Sequence, residues 1–174
     1  SDGCFKHYLS NGGISIMSEL RTNRIVPRDG ITSGSTQGGG VIQVRYGFTT
    51  TQVVNNTSTY ADTGLTASIT PTRSDSKIIV MASLNCVQKN NGTYLKVRVV
   101  RDSTEIAKLD EGAGYTDNSN NNIIGSISCH LLDSPSTTSA VTYKLQFASV
   151  ANISTTAVQV NSSLSSMILM EVSG

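Results

Sequence analysis

Gly64 to Val87, GLTASITPTRSDSKIIVMASLNCV, is the stretch on which the fold class turns. It reads as strand, turn, strand. Thr66 to Thr70 is β-prone, and Pro71 ends that strand because it has no N–H for a ladder. Ser74, Asp75 and Ser76 form turns through side chains that bond to nearby backbone. Lys77 to Val87 is then a long strand. Alternation places Ile78, Val80, Ala82, Leu84 and Cys86 on one face. The other face begins with Ile79 and Met81 and becomes polar at Ser83 and Asn85. A strand that is apolar on both faces is covered on both faces, so the question is what covers the second one.

The composition agrees with a β-protein. The chain has 174 residues, with 37% hydrophobic, 5% aromatic and 14% charged. That length supports one domain with a core plus an appendage, and the core must be aliphatic. The charged fraction is well under the roughly 25% typical of soluble domains, with Ser, Thr, Asn and Gly in its place. A formal net charge of +1 gives no global field for nucleic acid or an anionic membrane. No apolar run reaches the roughly 20 residues of a membrane helix. Neither nucleic acid nor membrane is expected as a partner.

Outward from the central hairpin, strands follow at intervals set by turn signals. Val41 to Phe48 alternates. Tyr94 to Arg101 turns Leu95, Val97 and Val99 inward. Ile123 to Leu132 carries Ile123, Ile127, Cys129 and Leu131 on one side. Ala140 to Ala151 turns Val141, Tyr143, Leu145 and Phe147 inward. Leu164 to Val172 closes the chain, with Ile168, Met170 and Val172 read as core and Met167 and Leu169 as the opposite face. There is no convincing helix, and roughly eight to ten antiparallel strands at this spacing mark a sandwich or barrel.

The N-terminal part differs. Residues 1–16 show no period, and Met17 reads as a start, which makes them an extension of unclear role. Residues 17–40 read as an extended docking arm and a Gly-rich linker, TSGSTQGGG from Thr32 to Gly40. In the arm, Leu20, Arg24, Ile25, Val26 and Ile31 mix apolar and basic groups around Pro27. Glu19 and Asp29 offset part of the charge, so packing on a neighbouring protein is favoured over phosphate binding. The β-domain then occupies 41–174.

No chemistry emerges from the motifs. His7 and His130 are isolated, and no CxxC, HxH or HExxH spacing supports zinc. No GxSxG elbow supports a triad. Asp110, Glu111 and Asp117 lack calcium-loop spacing, and the acids scatter through turns rather than flanking a groove. No catalytic residue, cofactor or metal is assigned, and no enzymatic activity is expected. Cys4, Cys86 and Cys129 leave at least one thiol free; Cys86 and Cys129 read as buried thiols, with a disulfide between them as the alternative. Sequons at Asn55, Asn56, Asn91, Asn152 and Asn161 are of the kind chance supplies in so Ser/Thr-rich a chain.

The partner signal is stronger. Ile79, Met81, Met167 and Leu169 are the candidate interface. On a monomer they would form an exposed apolar patch; sister copies around a symmetry axis would cover it. The alternative is that the N-terminal segment folds back over that face.

GGGVIQV at Gly38 to Val44, TYADTGLTASITPTRSDSKIIVMASLN at Thr59 to Asn85 and SSMILMEV at Ser165 to Val172 carry a resemblance. The chain resembles bacteriophage tail fibre and virion structural proteins with a C-terminal tumour-necrosis-factor-like jelly roll. SELRTNRIVPRDG, Ser18 to Gly30, matches the short arm that precedes the domain in that family. The resemblance implies a jelly-roll β-sandwich, a homotrimer, a place in the virion, and a fibre or tip role in host attachment. A capsid or tail decoration protein, held to other virion proteins by its arm, is the alternative. A lectin-like carbohydrate-binding module is a further one. A host-surface glycan would then meet the long polar loop, at Tyr115, Asp117 and Asn120.

Overall fold

The computed structural model describes residues 40–90, 92–115, 122–150 and 154–174. All of them belong to the larger of the chain's two units, 36–174. The arm residues Leu20, Arg24, Ile25, Val26 and Ile31, the 1–16 extension and the loop residues Asp117 and Asn120 lie outside the described residues.

Ten strands follow in order: β1 Val41–Thr49, β2 Val53–Asn55, β3 Ala61–Ile69, β4 Lys77–Lys89, β5 Leu95–Arg101, β6 Thr104–Ala113, β7 Asn122–Asp133, β8 Val141–Ser149, β9 Thr156–Val158 and β10 Ser165–Val172. Among the described residues the only helical turn is a 3-10 turn at Val160–Ser162. One sheet, sheet A, runs β1-β10-β4-β7, with β2 and β9 continuing it beside the far end of β4. The other, sheet B, runs β3-β8-β5-β6. All pairings are antiparallel. The chain crosses repeatedly between the sheets, and the result is a jelly-roll sandwich.

The core is aliphatic and lies between the sheets. Ile78, Val80, Ala82 and Leu84 of β4 meet Leu95, Val97 and Val99 of β5 and Val141, Tyr143, Leu145 and Phe147 of β8, all buried. β3 begins at Ala61, earlier than its β-propensity indicates, because Thr63, Leu65, Ala67 and Ile69 all turn into this core.

β4 has a break in its alternation. Cys86 adopts φ 49, and the pairing with β7 slips between Leu84 and Val87. The bulge turns Val87 and Lys89 inward and leaves Cys86 half-buried. Cys86 is therefore not on the core face that simple alternation gives it. Cys129 is buried opposite Ala82, and both thiols are free. Gly125, at φ 103, lies at the same slip on β7. Ile123 is consequently 52% exposed rather than inward, while Ile124 packs on the core.

Two polar clusters hold the layers together. Asp133, at the end of β7, accepts from Arg101 Nη1 at 2.5 Å and from Tyr143 Oη at 2.6 Å. One carboxylate thus ties sheet A to two strands of sheet B. Burial, reinforced by the Asp133 carboxylate, pushes the Tyr143 phenol pKa far up, so Tyr143 stays protonated and donates. At the same end, buried Glu171 of β10 accepts from Gln43 Nε2 at 2.5 Å and from Thr72 N and Oγ1 at 2.7 Å each. Burial alone would raise the Glu171 pKa, but these donors outweigh it and hold the carboxyl at about 2. Gly47 lies close under β3: a Cβ there would stand 2.0 Å from the Thr66 carbonyl oxygen.

A candidate assembly face

The outer side of sheet A is built row by row from the register. Val44 of β1 lies opposite Met170 of β10, Met170 opposite Ile79 of β4, and Ile79 opposite Leu132 of β7. The next row is Tyr46, Ile168, Met81 and His130. The third is Phe48, Ser166, Ser83 and Ser128. Directly paired residues share a face of the sheet, so these are continuous stripes across four strands. The first is wholly apolar, the second apolar except at its His130 end, and the third aromatic at one edge and hydroxylic elsewhere.

Among the described residues nothing covers this face. Val44 is 50% exposed, Tyr46 56%, Phe48 63% and Leu132 62%. The Tyr46 and Phe48 rings stack on each other, centroids 5.7 Å apart, so the aromatic edge is a preformed ridge. Ile79, Met81, Ile168 and Met170, in the middle strands, are half-buried by their neighbours.

Two of the four interface residues expected from the sequence are here and two are not. Ile79 and Met81 stand on the outer face. Met167 and Leu169 are fully buried in the core. Their partners are Ala82 and Val80, which are core residues of β4, and the shared register places them on the same side. Ile168 and Met170, read from the sequence as core, take the outward places, as does half-buried Val172. Val44, Tyr46, Phe48 and Leu132 were not singled out from the sequence. The available signal was the alternation of VIQVRYGF, in which Gly47 and Gln43 share one parity: Gln43 turns to Glu171 and Gly47 to β3, which sends the aromatic parity outward.

The outer side of sheet B is of opposite character. Lys144 pairs with Asp62 at 3.0 Å, Arg98 with Glu105 at 2.9 Å, and Lys108 with Glu111 at 3.7 Å. Gln146 bridges Arg98 and Asp62. The hydrogen bonds from Gln146 and Lys144, together with the Lys144 charge, outweigh partial burial and lower the Asp62 pKa. Such a network is what a solvated face carries. The two outer faces of one sandwich thus sort sharply into apolar and charged.

The remaining candidates do not gather into a reactive centre. His130 is exposed at the β7 end of its row. Among the described residues no three His, Cys, Asp or Glu side chains group as a metal site. Tyr115, from the expected receptor loop, is 61% exposed and packs edge-on against Tyr94, centroids 5.4 Å apart. Asn55 is buried: its amide donates to the Thr59 and Phe147 carbonyls and its oxygen accepts from Thr57, so in the folded protein this sequon is not accessible.

No family model and no curated protein matches the chain. Among solved structures it is similar to the infectious bursal disease virus VP2 subviral particle, at a TM-score of 0.44 and 10% sequence identity. The match covers 78% of this chain and 34% of that one, so the chain spans about a third of the protein it resembles. A likeness this distant carries no conclusion about function.

Proposed function

We propose that this chain is a virion structural subunit that assembles as a homotrimer through the outer face of sheet A. Displayed on a particle as a tail fibre or tip subunit, it would serve attachment to the host surface. The observation that carries the reading is the contrast between the two outer faces. Covering a half-exposed aliphatic or aromatic side chain gains about 1 kcal/mol. The two apolar rows of two partners together reach the ~4–15 kcal/mol that association costs. A second copy supplies a matching apolar surface with no unpaired charge, and closed symmetry limits the number of copies. The threefold choice, the virion and the attachment role are supported by the resemblance carried by Gly38–Val44, Thr59–Asn85 and Ser165–Val172.

Decoration of a capsid or tail is the second reading. It is favoured by the apolar and basic composition of Leu20 to Ile31, which suits docking on another virion protein. The absence of a reactive cluster among the described residues is compatible with either role and does not choose between them.

Imaging this chain at side-chain resolution in an intact particle tests the proposal. Threefold sets of copies, with Val44, Ile79 and Met170 turned toward one another, are expected. Isolated copies with that face in solvent would contradict it.

A further inference from the structure

With sheet A turned inward, sheet B is the surface that an assembly displays. Most of its charges are internally paired, as described above. One end of it is different. Tyr94, just before β5, and Lys96 and Arg98 within it alternate outward, while Leu95, Val97 and Val99 are fully buried. Tyr60 lies against this strip, with Arg98 Cζ 3.9 Å and Lys96 Nζ 5.0 Å from its ring centroid. Tyr115 closes the other end against Tyr94. Three of the chain's six tyrosines therefore line one strip of an otherwise charged surface. Tyr94 to Arg98 spans about 13 Å at strand rise, enough for a short oligosaccharide.

Lys96 is the residue that gives the strip its chemistry. Arg98, Lys108 and Lys144 on this face each have a carboxylate. Lys96 has none among the described residues; its ammonium is held over the Tyr60 ring, within the range of a cation–π contact. That contact orients the group without neutralising it. Tyrosine rings present apolar faces and hydroxyls together, which suits the mixed C–H and O–H surface of a sugar. The oriented cation beside them, outside any ion pair among the described residues, suits a carboxylate. Set against it is the Glu111 carboxylate, which accepts from the Tyr60 hydroxyl on the same strip.

We propose that Tyr60, Tyr94, Lys96 and Tyr115 form a shallow binding strip for an acidic saccharide, with Lys96 taking the carboxylate and Tyr94 and Tyr115 the ring faces. The proposal rests on the host-attachment reading above and names the class of ligand it would meet. It also extends the contact from Tyr115 to Tyr94 and strand β5.

Saturation-transfer NMR of the full chain tests it, with 3′-sialyllactose and trigalacturonate as acidic probes and lactose and maltotriose as neutral ones. Transfer to at least one acidic probe is expected, with little to the neutral ones. Lys96→Ala should weaken that binding about tenfold, the value of a charge-assisted hydrogen bond. Tyr115→Ala should weaken it comparably, and because Tyr115 is exposed the fold should survive; the thermal midpoint checks this for both variants. No transfer to either acidic probe would overturn the proposal. So would binding that both variants retain in full, or equal binding of neutral and acidic probes. Sedimentation of the same sample separates this from the assembly reading: an intact trimer that binds neither acidic probe would sink only the saccharide strip.

Discussion

Met170 on β10 lies directly opposite Ile79 on β4, and both side chains stand on the outside of the sandwich. Their immediate neighbours Leu169 and Val80 are also paired and are fully buried inside it. Two central strands are thus apolar on both faces. Among the described residues only one of those faces is covered.

Ile79→Asp should break the assembly while leaving the fold. The new carboxylate would be hydrated in the protomer but buried without a partner in the interface, at a cost of several kcal/mol. Gel filtration with light scattering should show monomer, and circular dichroism an unchanged strand signature. Aggregated or unfolded protein would show that Ile79 supports the protomer itself.

Leu169→Ala and Met167→Ala should act differently. Each removes a fully buried side chain and should cost about 2–5 kcal/mol by cavity formation. The loss should appear as a lowered urea midpoint. An effect on assembly alone, with protomer stability unchanged, would place these residues at the interface after all.

Glu171 gives a pH dependence. Its carboxyl is held at about 2, against an ordinary value of 4.5. The fold therefore favours the ionised form, and the stability this contributes is complete above about pH 4.5 and is lost as the pH falls toward 2. Urea-unfolding midpoints across that range should decline, and Glu171→Gln should flatten the decline while lowering stability at neutral pH. Parallel curves for the two proteins would remove Glu171 as the cause.

Asp133→Ala should weaken the join between the sheets. It leaves the Arg101 guanidinium and the buried Tyr143 hydroxyl without their shared acceptor. Breaking a largely buried pair in this way costs about 3 kcal/mol, readable as a lower thermal midpoint. Asp133→Asn, which keeps an acceptor oxygen, should recover part of the loss.

Fold class was legible because alternation and turn chemistry are local. Ile78, Val80, Ala82 and Leu84 could be assigned to the core from their spacing alone, and so could Val141 to Phe147. The outer face was legible only as a surplus: SSMILMEV is apolar at both parities, so the strand itself does not say which side is inside. Glu171 deepens the ambiguity, since it shares the parity of Met167 and Leu169 and suggests a solvated face. Its burial depends on Gln43 and Thr72, which are distant in sequence. Register with β4 settles the orientation, and register is a long-range property. The slip at Cys86 and Gly125 was hidden for the same reason: a bulge belongs to the pair of strands, and neither strand announces it alone. The strip joins Tyr60, the Tyr94–Lys96 pair and Tyr115, three segments of the chain that no spacing rule connects.

The central claim is that sister copies cover the outer face of sheet A. Sedimentation equilibrium of the purified chain at micromolar concentration tests it most directly. A single species of about 55 kDa, three times the 18.4 kDa of one chain, is the predicted result, with Met81 and Met170 slow to oxidise by peroxide. A species of 18.4 kDa in which both methionines oxidise freely would contradict it.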